Sequence, residues 1–147
     1  LRGTCLCGKI EFEVTTPITK LYQCHCSLCR KQGGSASNTA TFVQEGDLNW
    51  VAGVENISTW TKDTGFRSDF CSTCGSPVPN PFKIGTSSYW WVPVGLFGGE
   101  LNAQIVAYVF AGSKASWSDL LEVPHSYQGM PDFGEFFGIL HPKVEPG

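Results

Sequence analysis

The sequence predicts a mainly β fold with little helix, on three observations. Its apolar residues alternate with polar ones over short runs, as at Ile10, Phe12 and Val14, instead of recurring at helical spacing. Seventeen Gly and nine Pro interrupt the chain too often for long helices. Seven Cys fall into three tight clusters, around which short strands can be organised by metal bonds.

The 147 residues are expected to form one domain, 1–147, with an irregular C-terminal tail over about 118–147. A chain of this length buries roughly 68–70% of its unfolded surface, which suffices for one core. The net charge of −3 and the lack of any Lys/Arg run exclude a nucleic-acid-binding face, because phosphate binding needs a basic stripe. No apolar run approaches the roughly 20 residues that span a bilayer, and the first residues carry no signal-peptide core, so a soluble, cytoplasmic protein is expected. In that reducing compartment, an odd number of Cys at CxC and CxxC spacing suits metal binding better than disulfides.

In chain order, Cys5-Leu6-Cys7-Gly8 reads as a metal knuckle, with Gly8 free to turn the chain back. Lys9–Thr16 alternates and predicts a strand that Pro17 ends. Leu21–Gln23 is a short extended run, and Ser27–Gln32 predicts a brief helix stopped by Gly33-Gly34. Strands are expected at 39–43, 48–51 and 55–61, with turns at Glu45-Gly46-Asp47, Gly53 and Lys62–Gly65. A second knuckle, Cys71-Ser72-Thr73-Cys74-Gly75, follows 66–70. Pro77, Pro79 and Pro81 confine 76–85 to an edge or loop. Ser88–Gly95 gives the strongest strand signal, at an edge because of Pro93, and 105–111 gives the next. A short helix is expected to start near Trp117.

The centre of the sequence is Cys24-His25-Cys26-Ser27-Leu28-Cys29-Arg30-Lys31, where one strand-to-helix corner can aim three thiols at one metal ion. Glycine follows the last thiol of the other two clusters but not Cys29. That difference pairs Cys5 and Cys7 with Cys71 and Cys74, and leaves the middle trio apart. Two purely architectural zinc sites, or one site and three ordinary buried thiols, remain alternative readings.

These residues resemble the glutathione-dependent formaldehyde-activating enzymes, the GFA or CENP-V-like family. The resemblance rests on Cys5–Ile10, Cys24–Lys31, Phe70-Cys71-Ser72-Thr73-Cys74-Gly75-Ser76-Pro77 and Gly112-Ser113-Lys114-Ala115-Ser116-Trp117. It implies an Mss4-like fold of several curled antiparallel sheets around two zinc sites. It also implies a structural zinc on Cys5, Cys7, Cys71 and Cys74, and a catalytic zinc on Cys24, Cys26 and Cys29. The chain departs from the family at Gly95-Leu96-Phe97-Gly98, where many members have Gly-Thr-Leu-Asp, and at Tyr108, where a His is common.

Zinc with four thiolates is closed, whereas three leave a position for a further soft ligand. An incoming thiol such as glutathione would lose its proton there and add to an aldehyde, so the expected activity is that of a carbon–sulfur lyase on thiol–aldehyde adducts. Arg30 and Lys31, with the Gly33-Gly34-Ser35 backbone, are the candidate residues for binding the thiol's carboxylates. His25, flanked by two ligands, reads as structural before catalytic, and Tyr108 is a candidate acid. Trp90, Trp91, Phe97 and Tyr22 read as core before pocket wall. The competing readings are a non-catalytic zinc-stabilised binding module or thiol carrier and, third, a redox sensor built on the trio. The expected partners are a small thiol and an aldehyde.

Overall fold

The computed structural model of the chain describes residues 1–142. It begins with β1 (Arg2–Thr4), then reverses through the first knuckle, where Gly8 takes φ 81°. β2 (Glu11–Val14) buries Phe12 and Val14 and pairs antiparallel with β1. β3 (Lys20–Cys24) delivers the first thiol of the trio to α1 (Ser27–Gly33), which Gly34 closes in the left-handed conformation. β4 (Asn38–Gln44) and β5 (Leu48–Ala52) flank a single 3-10 turn, Glu45–Asp47.

Where a strand was expected from Glu55, a 3-10 turn occupies Val54–Asn56 and β6 (Ile57–Thr61) starts after it. The cause is Gly53 at φ 84°, which sends the chain into the turn. β7 (Arg67–Cys71) runs into the second knuckle, and Gly75 repeats the positive φ of Gly8 at 79°. Then come β8 (Asn80–Ile84), β9 (Ser87–Pro93), β10 (Gln104–Val109), β11 (His125–Ser126) and α2 (Phe133–Leu140).

The chain divides into two compact units, each drawn from separate stretches. One combines Leu1–Pro17 with Phe42–Leu101, the other Ile18–Thr41 with the chain from Asn102 onward. In the first, β2 lies between β1 and β5, and the hairpins β6–β7 and β8–β9 complete the strands. Its aromatic core sets Phe12 against Trp50 and Phe97, at ring distances of 6.0 and 5.5 Å. Trp50 meets Trp90 edge-on at 5.7 Å, so Trp90 and Phe97 serve the core.

In the second unit β3 lies between β4 and β10, and β10 also pairs with β11. Both β10 pairings are parallel, so this sheet is mixed where antiparallel sheets were expected. The chain between β3 and β10 is long enough for a crossover, which a parallel neighbour requires. α2 covers β3: Phe136 is fully buried and stands edge-on to Tyr22 at 4.9 Å.

Two expectations need correction. β9 does not lie at an edge, since β4 and β8 flank it in the strand order. Pro93 sits at its last residue, where a missing N–H spares the ladder, and β8 with Pro81 ends the order instead. No helix begins near Trp117: Trp117 and Leu121 are both exposed, so no buried apolar face holds one there. The helix of the region is α2, with an Asp132 cap accepting from Glu135 N–H. Gly134 and Gly138 within it lower its intrinsic helicity, so burial of Phe133, Phe136 and Leu140 holds it. Of the tail expected to be irregular over 118–147, residues 143–147 lie outside the described ones.

Candidate metal centres

The Sγ atoms of Cys5, Cys7, Cys71 and Cys74 lie within 4.8 Å of one another. Cys7 is 3.6 Å from Cys5 and 3.8 Å from Cys71. A tetrahedron of sulfurs about 2.3 Å from a central metal has edges of about 3.8 Å, so these spacings fit such an ion. The two knuckles bring the pairs together because each reverses in a single tight turn: Gly8 N–H donates to the Cys5 carbonyl and Gly75 N–H to the Cys71 carbonyl.

The sulfurs of this cluster are themselves held. Ile10 N–H donates to Cys5 Sγ at 3.3 Å, and Asn56 Nδ2 to Cys71 Sγ at 3.2 Å. Ser76, through its hydroxyl and backbone N–H, draws the Cys74 thiol down to about 5. Cys71, which burial alone would raise, is lowered by the N–H groups of Cys74 and Thr73. At Cys7 the Lys9 backbone lowers the thiol's pKa, but loss of water and the sulfurs of Cys5, Cys71 and Cys74 push it up to about 11. Crowded sulfurs cannot all ionise without a cation, and a divalent ion would remove the conflict.

In the other unit, Cys24, Cys26 and Cys29 also lie within 4.8 Å of one another. Among the described residues no His, Asp or Glu joins them, so the chain supplies three corners of a tetrahedron and leaves the fourth. Cys24 ends β3, where its Cα partners are Asn38 and Val109. Cys26 caps α1 and accepts from Cys29 N–H at 3.3 Å. Hydrogen bonds from Cys24 and Cys29, with the Cys29 and Leu28 N–H groups, hold Cys26 down to about 2. The Cys26 sulfur in turn pushes Cys24 up to about 11, and Cys24 and Cys26 push Cys29 further. The three sulfurs thus oppose one another's ionisation, and a divalent cation would remove that conflict.

His25 is 1% exposed, and neither ring nitrogen has a hydrogen-bond partner. Burial, first, lowers its pKa; the Ala36 backbone acts in the opposite direction, and Lys114 and Arg30 add to the lowering. Its ring stands edge-on to Tyr108 at 5.3 Å, so it is a packed core residue beside the trio.

The structure treats the expected thiol-binding residues unequally. Arg30 follows Cys26 by four residues, on the same side of α1, and its Nε is buried without a partner. Lys31 is exposed and lies roughly 200° around the helix from Cys29. Gly33 ends α1, and the N–H groups of Gly34 and Ser35 both donate to the Arg30 carbonyl. Those two donors are spent on closing the helix, a use that the sequence, read as a free loop, did not reveal. Sequence reasoning also missed Asn56, whose only signal was its place just after a glycine turn.

Comparison with known proteins supplies the wider context. A Halomonas elongata protein bearing the provisional name of glutathione-dependent formaldehyde-activating enzyme is 33% identical over 84 residues, 53% of this chain and 54% of that protein. The chain therefore spans about half the length of that curated relative. The crystal structure of a Rhodobacter sphaeroides protein is similar with a TM-score of 0.56 at 30% identity, over 68% of this chain and 90% of that one. The family model described as glutathione-dependent formaldehyde-activating enzyme matches residues 1–113, which include both cysteine clusters, and the chain belongs to that family.

Proposed function

We propose that the chain is a zinc-dependent carbon–sulfur lyase acting on thiol–aldehyde adducts of the glutathione and formaldehyde type. Cys5, Cys7, Cys71 and Cys74 hold a structural zinc in this reading, and Cys24, Cys26 and Cys29 hold a catalytic one. The observation that carries it is the missing fourth ligand of the trio: three sulfurs within 4.8 Å, with no further ligating side chain among the described residues. When bound there, zinc supplies a position at which an incoming thiol gives up its proton near neutral pH.

The chain's own residues fix that position. β3 places Cys24, the Cys29 N–H holds the Cys26 sulfur, and the first turn of α1 places Cys29. Buried His25 and Tyr108 pack beside Cys24 and keep that side of the trio dry. In the synthetic direction the thiol's sulfur donates its electron pair to the aldehyde carbon and the carbonyl oxygen takes up a proton. The lyase direction reverses both steps. Seven free cysteines suit the reducing cytoplasm as the location.

The decisive experiment is NMR exchange spectroscopy of glutathione with formaldehyde, because the two also combine without an enzyme. Zinc-loaded protein is expected to speed exchange between free glutathione and its adduct, and Cys29→Ser to abolish the gain. Tight glutathione binding at the uncatalysed exchange rate would instead establish a thiol-binding module.

A further inference from the structure

We propose that Asn38 is a positioning residue for the sulfurs of Cys24, Cys26 and Cys29: through Gln32 it latches α1 to the strand pair that carries the first of them. The inference rests on the reading of the trio as a metal site and adds to it two residues outside the cysteine clusters, neither of them a ligand.

α1 is not anchored by a buried face. It has Cys26 as its cap and Cys29 in its first turn, yet it is seven residues long and none of them is fully buried. A helix of that length is unstable alone, and most helices in proteins are held by an apolar stripe packed on a core. The backbone bonds around α1 stay within the helix and its caps: Arg30 N–H donates to the Cys26 carbonyl at 3.0 Å, and Ser35 N–H to the Arg30 carbonyl at 3.1 Å. They shape the helix without fixing its place relative to Cys24.

Asn38 supplies that tie. It opens β4 and is the Cα partner of Cys24, the last residue of β3, so the two side chains share the final rung and one face of the strand pair. The loop 25–37 between them carries the other two sulfurs and returns to this rung. Asn38 Nδ2 donates to Gln32 Oε1 at 2.7 Å, in a half-buried setting where water competes less than at the surface. Gln32 follows Cys29 by three residues, so the bond holds α1 about one turn beyond that sulfur. The Asn38 amide also lies against the end of the helix, since a Cβ on Gly33 would stand 2.9 Å from Asn38 Oδ1. Gly33 belongs to α1 and has no positive φ, so glycine here supplies room for the amide. With Cys24 set by β3 and α1 set against β4, the sulfurs keep their spacing within 4.8 Å, and the position left for a fourth ligand keeps its direction.

The test titrates cobalt(II) into the trio of the full chain, read by the visible absorption of cobalt bound to thiolates, with zinc kept in the four-thiol cluster. It uses the wild type, Asn38→Ala, Gln32→Ala, the double variant and Gln32→Glu, and chelator competition measures the four-thiol cluster of each as an internal control. Either alanine variant is expected to lower cobalt affinity at the trio about tenfold, and the double variant to lose no more than either single, because the two residues form one interaction. The four-thiol cluster should change by less than about twofold. Gln32→Glu, which still accepts from Asn38 Nδ2, should keep the wild-type affinity. Unchanged affinity in either alanine variant, losses that multiply in the double variant, equal losses at both clusters, or a loss in Gln32→Glu overturns the latch while leaving the metal site standing. No cobalt binding by the wild-type trio overturns the metal site and the latch together.

Discussion

Asn56 Nδ2 donates to Cys71 Sγ at 3.2 Å. The same amide donates to Thr73 Oγ1 at 3.1 Å, and the Asn56 carbonyl accepts Ser72 N–H at 2.9 Å, so one residue grips three positions of the second knuckle. Partners of this kind orient a metal ligand and share its charge, and their loss costs about 10–100-fold in metal affinity. Asn56→Asp, which turns a donor toward the sulfur into an acceptor, should lower zinc affinity of the four-thiol cluster by that factor. Chelator competition would show it, and affinity unchanged from wild type would remove the assigned role.

Gly53 stands at φ 84°, and a Cβ there would lie 2.0 Å from the Lys9 carbonyl oxygen. Backbone cannot yield as a side-chain tip can, and Lys9 follows the first knuckle directly. Gly53→Ala should therefore destabilise the protein by more than about 2 kcal/mol, read from the denaturant midpoint.

Phe136 anchors α2 on Tyr22 of β3, two residues before Cys24. Phe136→Ala opens a cavity under that strand and should cost about 3–5 kcal/mol. Chemical denaturation followed by far-UV circular dichroism would measure it; a loss below 1 kcal/mol, to within about 0.5, would mean that α2 does not brace β3.

Metal loading of the trio should release about two protons at neutral pH, because Cys26 sits at about 2 while Cys24 is raised to about 11 and Cys29 is raised as well. Acid therefore favours the empty trio. Between those two limits its apparent zinc affinity should fall about 100-fold for each pH unit downward. Calorimetry in buffers of different ionisation enthalpy counts the protons, with the four-thiol cluster kept filled. Release of none would mean that the sulfurs are already ionised.

Much of this was legible locally. The alternation of Phe12 and Val14 gave β2, and Gly8, Gly34 and Gly75 marked turns that all take positive φ. Thiol spacing anticipated both clusters, since a knuckle is a property of four or five consecutive residues. What escaped depended on distant partners: the parallel neighbours of β10, the interior place of β9, and α2, whose two glycines hide a helix that only burial sustains.

The sequence by itself determined which residue types gather, because soft thiols at CxC and CxxC spacing can converge within one turn. Only the tertiary structure decided what surrounds them. Asn56 reaches Cys71 across 15 residues, Val109 meets Cys24 across 85, and Gly34 and Ser35 spend their N–H groups on Arg30. Hydrogen bonds and charges act through space, so the surroundings of a ligand depend on strand register and chain reversal, which no local pattern records.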